Sequence, residues 1–323
     1  MRRLKAHFPE AELNFITRPA YLPVVEAMEG VTRALAYPAV AAKTGTETRP
    51  PETSIVIDLQ NNLRSRLLTR SLHPKAVFRF HRLRFNRAAR IHLPGLRKSL
   101  STPPPVAIQY LQTAAPLGVC DDGGSAALTL KESWKKSASE RLEELALTGK
   151  FGSGRLLMAA PGGRHGTKIW PVEKWVEFFK LAFIEGFDRQ LLIGSKEDAA
   201  VGDAIAAQLN HSVANFAGRT DLGMLMGLIA QADVFVSGDS GPMHLAAGLG
   251  TPVAAIFGPT VTQFGFAPFR SPSRVVQVDD LPCRPCHPHG PEKCPLDHFA
   301  CMKDISAEMA MNAIRELMAE RAL

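Results

Sequence analysis

Two hydrophobic periodicities take turns along this chain. Short runs that are apolar at nearly every position alternate with longer stretches in which apolar residues return every three or four positions, the marks of buried strands and amphipathic helices. In the second half the runs fall at 155–160, 189–193, 213–216, 233–237, 252–257 and 274–278, with helical stretches at 172–185, 197–209, 221–230 and 242–249. Strands alternating with helices of this length form right-handed crossovers and a parallel sheet. The first half reads similarly, with a helix up to about residue 8, strands at 13–17, 34–37, 54–59 and 76–80, and helices at 19–28, 63–72 and 105–114. From 116 to 153 the pattern gives way to Asp-Asp-Gly-Gly-Ser, a Lys/Glu/Ser mixture and Thr-Gly-Lys-Phe-Gly-Ser-Gly, which reads as a linker. An amphipathic helix over 306–322 closes the chain. The expected fold class is α/β, with two doubly wound Rossmann-like domains. They cover 1–150, linker included, and 151–305, and the helix over 306–323 packs across a domain surface.

Composition narrows the class without naming a partner. The 323 residues, 46% hydrophobic and 21% charged, suit a globular protein with two sizeable cores. No run approaches the roughly 18–20 apolar residues of a membrane span, and the amino end MRRLKAHFPEAEL lacks the apolar stretch of a secretory signal. Cytoplasmic residence is therefore expected. The formal charge is +7, and from Arg64 to Arg97 Arg and Lys occur with no Asp or Glu between them. Such a run is either a solvated face or an attractor of anions.

Four of the five cysteines, Cys283, Cys286, Cys294 and Cys301, follow a C-x2-C-x7-C-x6-C spacing. The first pair resembles half of a zinc site, but the second is wider than usual. A structural zinc cluster, a disulfide and plain buried thiols all stay open, and no metal is expected in the chemistry.

The densest chemical signal is VSGDSGPMHLAAGLGTPVAAIFGPT at 236–260, which reads as strand, glycine turn, helix and strand without a gap. Pro242 sits where a first-turn proline starts a helix, so Asp239-Ser240-Gly241 place a helix N-terminus at the carboxyl edge of a parallel sheet. Anions bind there. The plainer reading makes Asp239 or Ser240 an N-cap and His244 an ordinary helix residue. A second strand–loop–helix crevice lies upstream, where LLMAA leads into PGGRHGTK and Pro171 opens a helix. It carries Arg164, Thr167 and Lys168. Ser195, Glu197 and Asp198 also follow a strand, with helix capping the competing role for Asp198. A dinucleotide-dependent oxidoreductase is disfavoured, because no G-x-G-x-x-G follows a strand.

Taken together, Pro161-Gly162, Lys168, Trp170-Pro171 and the ordered D-S-G-P-M-H at Asp239–His244 resemble glycosyltransferase family 9, the ADP-heptose:lipopolysaccharide heptosyltransferases, most closely the heptosyltransferase II type. The cysteine-bearing tail and IVIDLQNNLRSRLLTR at 55–70, similar to the family's D-x-Q-x-x-x-[RK]-S segment, extend the resemblance over nearly the whole chain. It implies a GT-B fold and inverting transfer of heptose from an ADP-sugar to the inner core of lipopolysaccharide at the inner membrane surface. Transfer of another sugar such as N-acetylglucosamine, or non-catalytic binding of a nucleotide sugar, are the alternatives. On this reading Lys168 and Asp239 are catalytic, and the donor is held by Thr167, Lys168, Ser195, Glu197, Asp198, Met224, Asp239, Ser240, Gly241 and His244. Gln60, Arg64 and Arg66 face the acceptor. No cofactor and no nucleic acid are implied, and the protein is expected to be a monomer. The family's opening strand and Gly-Asp loop, whose aspartate is taken as the base, have no counterpart, because Met1-Arg2-Arg3-Leu4-Lys5 resembles the helix that follows them. That base is expected upstream of Met1, and Asp58 is the residual candidate.

Overall fold

The structure, a computed structural model, describes residues 1–37, 55–147, 149, 151–209 and 213–321. Ser54, and the final residues expected in the closing helix, lie outside that set. The chain divides into two compact units, one of residues 1–84 with 104–129 and one of 85–103 with 130–323. The division expected near residue 150 therefore falls elsewhere, for a reason visible in the stretch read as a linker. Residues Glu132–Leu147 form a sixteen-residue helix whose buried Ala138, Leu142 and Leu145 share the second unit's core. This helix meets helix Leu222–Gln231 so closely that a Cβ on Gly227 would lie 2.5 Å from the Trp134 carbonyl.

In the first unit, β1 (Asn14–Thr17) pairs in parallel with β2 (Arg33–Ala36), and β3 (Ile55–Asp58) with β4 (Ala76–Arg79). Ile16 of β1, Leu35 of β2 and Val56 of β3 pack with Leu68 and Leu72, so both strand pairs contribute to one apolar cluster. Helix Leu63–Ser71 begins with a reciprocal cap in which Asn62 and Ser65 each accept from the other's backbone N–H.

The second unit holds a six-stranded parallel sheet built from β5 (Leu156–Ala160), β6 (Arg189–Leu192), β7 (Ala214–Asn215), β8 (Val234–Gly238), β9 (Val253–Ile256) and β10 (Ser273–Val276). Their order across the sheet is β10-β9-β8-β5-β6-β7. The chain winds outward from β5 through β6 and β7, then crosses back to lay β8 on the other side of β5. The sheet thus has its switch point between β5 and β8, where ligands of doubly wound proteins bind. Both faces are covered, so every residue of β5 and β9 is buried and these strands read as unbroken apolar runs. Helices Val172–Ile184 and Ala307–Arg321 pack in one face's core with Trp170, Trp175, Phe178 and Phe179. The last of these helices belongs to the second unit, against β10 and helix Val172–Ile184.

Candidate active site

The loop after β5 and the turn after β8 meet at the switch point. Trp170, 1% exposed, donates its indole N–H to the Ile305 carbonyl 3.1 Å away and so anchors the loop two residues past Lys168. The Lys168 carbonyl comes close enough to Gly238 that a Cβ there would stand 3.1 Å away, which gives the strand-end glycine its purpose. Lys168 Nζ then donates to Asp239 Oδ2 at 2.6 Å and to the Asp239 carbonyl at 3.4 Å. Thr260 Oγ1, from the turn after β9, donates to the same Oδ2 at 3.3 Å. The Lys168 and Asp239 side chains are 14% and 9% exposed, so each charge is largely stripped of water and depends on the other.

Helix Gly241–Leu249 starts beside this pair. Ser240 is its N-cap, accepting from Met243 N–H at 3.5 Å, and its hydroxyl lies 2.7 Å from that of the fully buried Ser237. Capping engages the Ser240 hydroxyl, while the amide of Gly241 has no acceptor within its own helix. A Cβ on Gly241 would meet nothing within 4 Å, so the helix end opens onto free space. His244 keeps part of its surface in solvent, yet desolvation by its surroundings lowers its pKa from the ordinary 6.5, opposed by Asp239 and assisted by Lys168. The positive end of the helix lies beside a lysine that keeps a third donor, and the Asp239 carboxylate next to it is already paired.

The other expected donor residues divide. Thr167 is buried and donates its hydroxyl to the Pro291 carbonyl, so its work is to pin the cysteine-bearing segment on the loop rather than to face a ligand. Asp198 accepts from the Ser195 N–H and hydroxyl, both at 2.8 Å, and lies so near Gly162 that a Cβ there would meet Oδ1 at 1.9 Å. It is a cap and a spacer between two loops, and capping also occupies the Ser195 hydroxyl. Glu197 stays exposed, its pKa lowered by its own backbone N–H and then by the Ser195 hydroxyl. Met224 and Leu222 are partly buried against the core, and Asp221 caps their helix by accepting from Met224 N–H at 2.8 Å. Thr260 and Arg284 are absent from the sequence expectation. Arg284 donates to the Thr260 carbonyl at 2.9 Å, so the first cysteine pair brackets the residue that braces the site.

In the first unit Asp58 is 5% exposed, and both of its carboxylate oxygens accept hydrogen bonds from its own loop and the helix that follows. Oδ1 accepts from the N–H groups of Gln60 and Asn61, and Oδ2 accepts from Ser65 Oγ at 2.9 Å. As placed it is not open to a substrate hydroxyl. Arg66 donates twice to Asn61 Oδ1, whereas Arg64 is exposed with its guanidinium 5.6 Å from the centre of the Tyr37 ring, and the Gln60 side chain is exposed too. The four cysteines of the tail are free thiols. Cys301 is buried, and burial pushes its thiol up to about 12. Among the described residues no group of three or more His, Cys, Asp and Glu side chains is arranged to hold a metal.

A parallel sheet that brings a paired lysine and an open helix N-terminus to its switch point defines a doubly wound α/β protein. Residues 47–295 match the sequence profile of glycosyltransferase family 9 (heptosyltransferase), and the chain belongs to that family. It is 31% identical over 169 residues to lipooligosaccharide heptosyltransferase 2 of Campylobacter jejuni serotype O:2, a stretch covering 51% of this chain and 51% of that relative. The match therefore spans about half the relative's length. The Haemophilus influenzae lipooligosaccharide heptosyltransferase 2 is 24% identical over 340 residues, covering 99% of this chain and 94% of the relative. The solved structure of Escherichia coli ADP-heptose LPS heptosyltransferase II superposes with a TM-score of 0.72 at 21% identity, covering 100% of this chain and 94% of that one. The shared fold is GT-B.

Proposed function

We propose that the protein is an inverting transferase that moves heptose from ADP-heptose to the inner core of lipopolysaccharide. The observation that carries this reading is the Lys168–Asp239 pair beside the open amino end of helix Gly241–Leu249, at the switch point of a family 9 chain. When the acceptor hydroxyl's oxygen bonds to the anomeric carbon from one face, its proton passes to water, and the bond to the donor's diphosphate breaks on the other face with its electron pair leaving on ADP. The growing negative charge needs fixed donors. Lys168 and the Gly241 amide supply them, and Asp239 with Thr260 holds the ammonium in place, so Asp239 acts as a positioning residue.

Met224 and Leu222 offer an apolar wall to the adenine, and the exposed Glu197 offers a carboxylate to the ribose. On the acceptor side, exposed Gln60 and Arg64 are the recognition elements. Leu63 and Leu67, 75% and 61% exposed on the same basic helix, suit contact with an anionic membrane surface. Among the described residues no helix is long and apolar enough to cross a membrane. Calorimetry with ADP tests the donor half, and transfer from ADP-heptose to a heptose-deficient lipopolysaccharide tests the whole. Lys168→Ala is expected to weaken ADP roughly ten- to a hundredfold, the loss of a charge-assisted hydrogen bond. Equal ADP affinity in the variant overturns the assignment.

A further inference from the structure

A recess of about 350 Å³ lies within the second unit, between the segment after helix Arg84–His92 and the loops at 261–263 and 284–285. Arg90, Arg97, Lys98 and Arg284 line it, and no carboxylate of the described residues does. Three of these cations are held in place by neutral groups. Arg90, 6% exposed, donates to Asn86 Oδ1 and to the carbonyls of Arg97, Leu100 and Ser101. Arg97 donates to the carbonyls of Arg90, Pro282 and Pro285. Arg284, 7% exposed, donates to the carbonyls of Val278 and Thr260 and to Gln277 Oε1, while its buried Nε has no partner. Carbonyls fix guanidinium groups without cancelling their charge. The carboxylate acting on Arg284 is that of Asp279, which accepts from Gln277 Nε2 at 2.7 Å. Lys98 is exposed and has no ion-pair partner among the described residues.

Like charges gathered in one recess repel one another and raise its potential, a cost that an anion would remove. Guanidinium forks match the oxygens of a phosphoryl group, and a dianion balances several cations better than a single carboxylate. The volume admits a phosphorylated sugar, since a water occupies about 30 Å³ of liquid. Val261 of the rim directly follows Thr260, which joins the recess to the candidate active site through its bonds to Arg284 and Asp239.

We propose that this recess binds a phosphomonoester dianion, separately from the diphosphate at Lys168. Its bearer is either a phosphorylated sugar or free inorganic phosphate. The choice of an acceptor sugar as bearer rests on the transferase reading, but the site itself does not.

The test is calorimetry at low ionic strength on the full chain with glucose 6-phosphate, inorganic phosphate, glucuronate and ADP. Lys98→Glu, at an exposed position, should weaken both phosphates roughly tenfold or more and leave ADP within about twofold, while Lys168→Ala should do the reverse. Arg284→Lys, which keeps the charge and loses the fork, should also weaken both phosphates. Tighter binding of glucose 6-phosphate than of inorganic phosphate assigns the site to a sugar-borne group, and equal binding assigns it to the free ion. The proposal is overturned if neither phosphate binds saturably, if Lys98→Glu leaves both unchanged, or if glucuronate binds as well as glucose 6-phosphate. Absence of heptose transfer would sink the transferase reading while leaving these binding results intact.

Discussion

Asp58 and Asp239 occupy the same kind of place in the two units, at or just past the carboxyl end of a parallel strand and ahead of a helix, and they do opposite things. The partners of Asp58 are two, three and seven residues away, so the carboxylate closes its own loop onto the first turn of the helix that follows. In the D-x-Q-x-x-x-R-S pattern the first and last residues bond each other, and the spacing leaves Gln60 and Arg64 exposed. Asp239 has partners 71 and 21 residues away, on loops that follow two other strands. An aspartate satisfied locally fixes a turn, whereas one satisfied only by distant chain holds a cation where a ligand can reach it. The physical difference is what remains: both oxygens of Asp58 are held by its own loop, and the Asp239 site keeps a lysine donor and an open helix end.

The comparison breaks most visibly at Asp58. Asp58→Ala leaves the backbone N–H groups of Gln60 and Asn61 without their acceptor and should cost about 2 kcal/mol of stability in urea unfolding, within the range for unsatisfied buried groups. ADP affinity should hold, and an unchanged unfolding midpoint would remove the structural role. Next comes Asp239→Ala, which leaves Lys168 largely buried without its counter-charge. ADP binding should weaken by about 1–2 kcal/mol, less than for Lys168→Ala, and an affinity equal to that of the unaltered chain would show that positioning is not its work.

Arg64→Ala sharpens the acceptor half. The acceptor KM should rise by about fivefold with the donor KM unchanged, on the order of 1 kcal/mol for an exposed charge contact, and high salt should reproduce part of the loss. Equal shifts in both would make the basic run a solvated face. The smallest effect concerns His244, whose lowered pKa means that the unfolded chain binds its proton more readily than the folded one. Stability from this group is therefore complete above the ordinary value of 6.5 and declines as pH falls through it. His244→Gln should flatten that slope in thermal unfolding, and an identical slope would show that the ring is not held neutral.

The central strands of the second unit were legible because a sheet covered on both faces writes itself as unbroken apolar runs, and LLMAA at 156–160 matches its strand from end to end. Helix Glu132–Leu147 was missed although Ala138, Leu142 and Leu145 carry the helical spacing, because exposed Lys, Glu and Ser between them dominate the composition. Helix Arg84–His92 was hidden in the same way by its arginines.

The sequence by itself determined the local chemistry: which residues cap, where glycine and proline break the chain, and that Lys168 stands before a buried Trp170-Pro171 entry to a helix. These depend on neighbours within a few positions. Which aspartate is engaged by its own loop and which holds the lysine was decided only by tertiary structure. So were the pinning of Thr167 by Pro291 and the gathering of Arg90, Arg97, Lys98 and Arg284 in one recess. In each case the partners are brought together by strand order across a sheet or by the folding back of a distant segment, and distance through space leaves no spacing along the chain to read.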